Sequence, residues 1–316
     1  MKGIGILLVL TAHFFSWNHP VLDKGITSFH MPMFFIVAGY FSKSYEEVAS
    51  VKQGVKHYFM RLFLPYAFTQ LVLVSWSLLF VVTGKSGWNG VIRGILSMFW
   101  GDIYGPSTPW GDLTLGVTWF LMALFVAKTL LLVLVSRMKG WAIPVSFVIA
   151  IVSLLIHKVF PYSIWCIMIG LTALPFVTIG WWLRNHPAPV WMMLVAILGW
   201  LVAFKYSQMN VYGFQYRCYP LDVVGALGGT SFLYLLSKWM ANRLKAVGKS
   251  FAYLGIISLA ILCMHNIELA CHLGNRTRVL VGVELPQWGF FLWRYVLTIG
   301  LAISLVHLPL VKKIFK

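Results

Sequence analysis

The sequence predicts an all-α fold: a polytopic helical membrane protein with about ten transmembrane helices. Three observations carry that prediction. First, 60% of the 316 residues are hydrophobic and only 10% are charged, where a soluble domain carries about 25% charged residues. Second, mean hydropathy is +0.83, and the apolar residues gather into ten runs of about 15 to 24 residues, near the ~20 needed to cross a bilayer as a helix. Third, the runs are continuously apolar rather than alternating, which disfavours a β-barrel. No internal repeat or long linker divides the chain, so residues 1–316 read as a single membrane domain.

The runs lie near 3–17, 26–42, 62–83, 115–136, 141–157, 162–182, 188–204, 218–237, 251–270 and 288–311. Span one opens after Lys2 and contains His13. No small-x-small site follows its apolar core, so it is expected to stay as a span rather than be cleaved as a signal peptide. Span two carries His30, followed by Met31 and the breaker Pro32. The basic stretch 43–61 is expected to form a short amphipathic helix, with Pro65 in the first turns of span three. Residues 84–114 form the longest outer segment and hold Trp-Gly-Asp twice, at 100–102 and 110–112. Span four opens on Thr118-Trp119-Phe120-Leu121. Short connections follow at 137–140, 157–162 and 184–189. The tyrosine-rich segment 205–217 lies outside, and Asp222 falls near the outer end of span eight. A second basic cluster around Lys245 and Lys249 lies inside. Span nine carries His265, Asn266 and Glu268, and span ten has Arg294 in its first turns.

The formal charge of +17 does not indicate nucleic acid. With a cytoplasmic N-terminus, 15 of the 25 Lys and Arg fall in inside segments and 8 outside, as the positive-inside rule requires. That places both termini in the cytoplasm and the chain in the inner (plasma) membrane, with the lipid bilayer as its main partner. The four cysteines have no CxxC spacing, and no metal site is expected.

Six polar residues stand out because hydrophobicity cannot explain them. Ten residues separate Lys2 from His13, about 16 Å of helical rise, or half a bilayer core. In a helical hairpin of spans one and two, His13 and His30 lie at similar depth. Asp222, His265, Glu268 and Arg294 lie in the outer parts of their spans, so all six are expected to converge in one outer-half cavity. Ionisable groups inside a membrane mark function by default. His265 and Glu268 are three apart and share a helix face, and a carboxylate beside an imidazole raises its basicity. The chemistry this suits is acyl transfer to an alcohol, with histidine as base and Arg294 or Asn266 as oxyanion donor. A phosphate-bearing thioester would meet the basic inside loops around Lys52, Lys56 and Arg61. Structural alternatives are a buried Asp222–Arg294 ion pair and an interfacial His265–Glu268 pair. The Trp-Gly-Asp and tyrosine-rich segments read as interfacial aromatics and turns more readily than as sugar-stacking surfaces.

Lys2-x10-His13 followed by FHMPMFFIVAGYF resembles the opening of the acyltransferase 3 family, in particular its fucose 4-O-acetylase-like members. Arg61-Leu62-Phe63-Leu64-Pro65-Tyr66 is similar to the family's basic-to-IPY segment, and Trp119-Phe120-Leu121 to its WFL motif. Gly248-Lys249-Ser250 through Met264-His265-Asn266 resembles its late G-K-x-S…H segment. The likeness covers essentially the whole chain. It implies acetyl-CoA or another acyl-CoA as donor substrate, a carbohydrate acceptor and His13 as the essential histidine. It also implies that Lys2, Arg61 and Trp119 belong to the substrate-binding set. One departure bears on the donor: many members carry Arg-x-x-Arg before span three, and here Tyr58 replaces the first arginine.

The expected function is therefore membrane O-acyltransfer, an O-acetylation of surface or lipid-linked polysaccharide in the cell envelope. His13, His30, His265 and Glu268 would be catalytic; Lys2, Arg61, Trp119, Asp222 and Arg294 would bind substrate. The alternative is a multi-span transporter or flippase for a small polar or sugar-containing substrate. Against it, no inverted repeat or pair of broken helices can be traced.

Overall fold

The computed structural model describes residues 1–15, 19–42, 51–101, 114–161, 163–207, 209–211, 213–309 and 311–315. Residues 43–50 and the Trp-Gly-Asp segment at 110–112 therefore lie wholly outside the described residues, and the one at 100–102 partly outside. Fourteen α-helices are described: α1 (Lys2–Phe15), α2 (Pro20–Thr27), α3 (His30–Tyr40), α4 (Val51–Val82), α5 (Asn89–Trp100), α6 (Trp119–Met138), α7 (Ala142–Val159), α8 (Ile167–Asn185), α9 (Val190–Tyr206), α10 (Tyr219–Arg243), α11 (Lys245–Ile256), α12 (Ser258–Cys271), α13 (Leu273–Val281) and α14 (Gln287–His307).

Among the described residues five segments are long and apolar enough to cross a membrane: Val51–Val82, Gly116–Val159, Ile167–Asn185, Tyr219–Arg243 and Gln287–His307. Helices α11 and α12 together make a sixth, bent by 67°. The expected continuous span at 251–270 is thus broken. The Ser258 hydroxyl donates to the Gly255 carbonyl at 3.0 Å, competing with the helical ladder at the bend. The segment Gly116–Val159 contains two helices, α6 and α7, joined by a 3-10 turn at Lys139–Trp141. Helices at Lys2–Phe14 and Val190–Tyr206 are apolar but shorter.

Elsewhere helix replaces expected loop or break. Of the expected amphipathic stretch 43–61, residues 43–50 lie outside the described residues and residues 51–61 belong to α4, which runs from Val51 to Val82 with Pro65 inside it. The Pro65 carbonyl accepts the Thr69 hydroxyl at 2.8 Å. The outer segment 84–114 contains α5, and the last outer loop contains α13. The expected run 26–42 is split instead. Thr27 and Ser28 hydroxyls cap α2 by donating to Asp23 and Gly25 carbonyls, each at 2.7 Å. Phe29 then leaves the helix at φ −143° and His30 opens α3.

The chain forms two compact units. The first comprises Met1–Lys56, Val126–Ile156 and Met168–Ser258; the second comprises His57–Phe125, His157–Ile167 and Leu259–Lys316.

The first unit packs α1 against α2, α3 and α11, and α10 against α3, α9 and α11. Glycines permit these approaches, since lipid-facing helices lack a hydrophobic drive to associate and gain from close packing. A Cβ at Gly39 would strike the Val177 carbonyl, and one at Gly180 the Ile36 carbonyl, so α3 and α8 meet backbone to backbone. Phe29, Met33, Val37 and Leu233 form a buried cluster, and the Phe29 ring meets Trp200 edge-on at 5.2 Å. The tyrosine-rich outer segment folds as a hairpin that pairs Met209 with Tyr216 and Asn210 with Gln215. Burial holds the Tyr216 phenol above its ordinary pKa range, and the neighbouring Tyr219 hydroxyl donates to the Thr172 carbonyl at 2.6 Å.

The second unit is tied by long-range hydrogen bonds. Tyr66 donates its hydroxyl to the Met98 carbonyl at 2.6 Å, and the Trp165 indole reaches the same oxygen at 3.3 Å. The Arg276 guanidinium lies over the Trp76 and Phe80 rings at 5.4 and 5.1 Å.

Candidate active site

In the first unit, α1 and the α2–α3 turn carry the two histidines. His13 lies in the last turn of α1 and is half-buried; His30 is the first residue of α3 and is buried. His30 Nδ1 lies 2.8 Å from the Ile26 carbonyl oxygen. A carbonyl only accepts, so Nδ1 carries the hydrogen and the neutral ring keeps its lone pair on Nε2. That is the tautomer a base requires. The two imidazoles lie within electrostatic reach of each other. Lys2, exposed at the opposite end of α1, has its ammonium 5.9 Å from the Phe41 ring centre.

Asp222 belongs to the same unit, in the first turn of α10, and is 3% exposed. Its Oδ1 accepts the Ser207 hydroxyl at 2.6 Å, while Oδ2 has no hydrogen-bond partner among the described residues. Ser207 follows α9 directly, so its position depends on where that helix ends. Ser207, Ser28 and Trp200 were not legible as site residues: single serines and tryptophans outside any motif carry no such signal.

The second unit holds His265, Asn266, Glu268, Arg294, Arg61 and Trp119. Both Glu268 oxygens accept from Arg294, from Nε and Nη2, each at 2.7 Å. Glu268 is 1% exposed and Arg294 17%. Such a bidentate fork is the strongest geometry available to this pair. Arg294 thus pairs with Glu268, and Asp222 with Ser207, in place of the alternative Asp222–Arg294 ion pair. A Cβ at Gly274 would crowd both Arg294 and Glu268 Oε1, so glycine lets α13 pass over the fork.

His265 is fully buried on α12. Beside it, Asn266 Oδ1 accepts the Val117 amide at 2.8 Å. That bond fixes the amide's orientation and leaves Nδ2 buried with no partner among the described residues. Gly116, at φ +56°, makes this possible: a Cβ there would collide with Asn266 Oδ1. Gln70 closes the turn by donating to Thr118 Oγ1 at 2.9 Å. Trp119 begins α6 directly after this turn and is 3% exposed, its ring edge-on to Phe120 at 6.0 Å. The WFL segment is therefore a buried helix start. Arg61 is exposed on α4, while Tyr58, at the position of the missing arginine, is buried. Among the described residues no three His, Cys, Asp or Glu side chains gather as metal ligands.

Residues 1–307 match the family model described as an acyltransferase domain, acyltransferase 3. The chain belongs to this acyltransferase family. No curated protein and no solved structure gives a significant match. Membership makes an acyl donor and an acyl acceptor the substrates of this acyltransferase, and its apolar helices make it a membrane protein.

Proposed function

We propose that this acyltransferase is an integral membrane O-acyltransferase that moves an acetyl or other acyl group from acyl-CoA to a hydroxyl of a surface or lipid-linked carbohydrate. The observation that carries the reading is the histidine pair of the first unit. His13 and His30 sit on helices α1 and α3, which pack against each other, and the Ile26 carbonyl holds His30 in a single tautomer.

His13 acts as general base with His30 assisting it. The base takes the proton of the acceptor hydroxyl as its oxygen attacks the thioester carbonyl. The tetrahedral intermediate collapses, expelling the coenzyme A thiolate, and the imidazolium returns the proton to it. The oxyanion requires a donor. Arg294 or Asn266 is the proposed donor. His265 and Glu268 are the proposed supporting residues, Glu268 through the fork that Arg294 makes to it, and Lys2, Arg61, Trp119 and Asp222 the substrate-side residues.

The fold reading that goes with it is one membrane domain of ten spans with both termini cytoplasmic, in the inner membrane. Each of the ten expected apolar runs coincides with a described helix or helix pair. The family match runs through both compact units, which each draw on three separate stretches of chain.

The test uses purified protein in nanodiscs with radiolabelled acetyl-CoA and a mixed sugar pool. Label should move to sugar, or be released slowly as acetate, and this turnover should vanish in His13→Ala. Full turnover in the variant at normal membrane levels would remove His13 from the mechanism. Uptake of sugar by vesicles without any acyl-CoA would favour the transporter alternative.

A further inference from the structure

A small cavity in the first unit lies between α2, α9, the hairpin and α10. Its lining includes Lys24, Ser28, Phe204, Ser207 and Asp222, and its volume is about 10 Å³, room for one water-sized group. Its polar atoms can be taken one at a time. The Ser28 hydroxyl donates to the Gly25 carbonyl at 2.7 Å, and its oxygen accepts the Trp200 indole at 2.9 Å. The Ser207 hydroxyl donates to Asp222 Oδ1 at 2.6 Å. Both serine hydrogens are therefore committed inside the protein. What remains is an accepting face on Asp222 Oδ2 and the Ser207 oxygen, and a donor at the Lys24 ammonium. That ammonium lies 5.3 Å from the Phe204 ring centre.

Asp222 lines the cavity and its buried Oδ2 has no hydrogen-bond partner among the described residues, which is costly unless something donates to it. An anion is excluded by the carboxylate itself. A cation site would need several anionic or carbonyl oxygens turned inward, and here only one carboxylate lines the cavity. A neutral hydroxyl satisfies the cavity: its hydrogen goes to Asp222 Oδ2 and its oxygen accepts from Lys24. No histidine lines the cavity, so this hydroxyl is not the one that reacts. Yet the α2 segment that supplies Lys24 and Ser28 also supplies Ile26, whose carbonyl orients His30.

We infer that this cavity is a recognition subsite for a second, non-reacting hydroxyl of the acyl acceptor, with Asp222 as its acceptor, Lys24 as its donor and Ser207 as the residue that orients Asp222. The acceptor class is therefore a polyol or sugar with neighbouring hydroxyls, and a simple alcohol is a poor substrate. In the absence of acceptor a water takes the place of the hydroxyl. This inference rests on the acyltransferase reading above.

The experiment measures acetyl transfer from acetyl-CoA to methyl hexosides and to each of their monodeoxy analogues, using the whole protein in nanodiscs. With the unmodified protein, one deoxy position should raise the acceptor KM about 10- to 100-fold, the range expected for losing a hydrogen bond to a charged group. Asp222→Asn presents an amide hydrogen where an acceptor is needed. It should raise KM for the parent glycoside by a similar factor and stop distinguishing that deoxy analogue. Lys24→Met, at the half-buried edge of the cavity, should show a smaller rise at the same position.

Equal KM for every deoxy analogue, or acceleration by no glycoside while acetyl-CoA is still hydrolysed, would reduce the cavity to a structural water site and overturn the inference. Because the deoxy series needs no variant, poor folding of Asp222→Asn leaves the test intact. Absence of any acetyl-CoA turnover, with or without sugar, would instead count against the acyltransferase reading itself.

Discussion

Among the described residues each unit buries one carboxylate, Asp222 in the first turn of α10 and Glu268 in the last turn of α12, and they treat it differently. In the second unit Glu268 is met by a guanidinium on both oxygens. Around it Asn266 and Gln70 bind the 115–118 turn, so the cluster is closed by charge and by backbone bonds. In the first unit no cation meets Asp222: the neutral Ser207 hydroxyl and the Cys218 backbone are its partners, Oδ2 has no hydrogen-bond partner among the described residues, and the residue lines a cavity. A bidentate ion pair spends its bonding capacity on holding helices in register. A half-satisfied carboxylate holds little and has capacity left for a ligand. The same carboxylate group is thus fully paired in one unit and half-satisfied in the other, which is what the proposed recognition role of Asp222 requires.

Five substitutions can break or sharpen this contrast. The largest effect should come from the histidine pair: His13→Ala should lower acetyl transfer by about 10²- to 10⁴-fold, the worth of a positioned base. Its thermal midpoint in detergent should be nearly unchanged, because His13 is only half-buried. Next, Glu268→Gln leaves Arg294 without its counter-charge and should cost about 3 kcal/mol, read as a lowered unfolding midpoint. Combining it with Arg294→Met should recover part of that loss; no recovery would mean that the pair is not a closed unit.

Gly180→Ala probes what holds the first unit in place of ion pairs. A methyl there meets the Ile36 backbone, and overpacking of this kind should cost about 1–3 kcal/mol, measured the same way. Asp222→Asn should have the smallest effect on stability, under about 1 kcal/mol, since one hydrogen bond to Ser207 can be retained by the amide. If Asp222→Asn unfolds the protein as readily as Glu268→Gln, Asp222 is scaffold as well and the contrast between the units disappears.

Much of the site was legible as residue types. His13, His30, Asp222, His265, Glu268 and Arg294 stood out because a charge or imidazole in an apolar run needs a reason. Their partners were not legible. Glu268 looked like the companion of His265, three residues away on one face, but its two oxygens go to Arg294, 26 residues further along. Ser207 and Ser28 carried no pattern, yet they decide which carboxylate oxygen stays open. Gly116 resembled any loop glycine, and only its positive φ against Asn266 shows why a side chain cannot stand there.

Local sequence determined the apolar runs, the helical class, the membrane setting and the order of motifs that marks the acyltransferase family. These follow from composition and spacing, which act within a few residues. Tertiary structure decided where helices bend or divide, as at Ser258 and Phe29, and that α4 passes straight through Pro65. It also decided which polar atoms are spent and which remain. A hydrogen-bonding group in an apolar interior must find its partner wherever the packed chain brings one, and sequence separation does not constrain that distance. The lone pair on His30 Nε2 and the open oxygen of Asp222 are consequences of packing, fixed by the Ile26 carbonyl in one case and the Ser207 hydroxyl in the other.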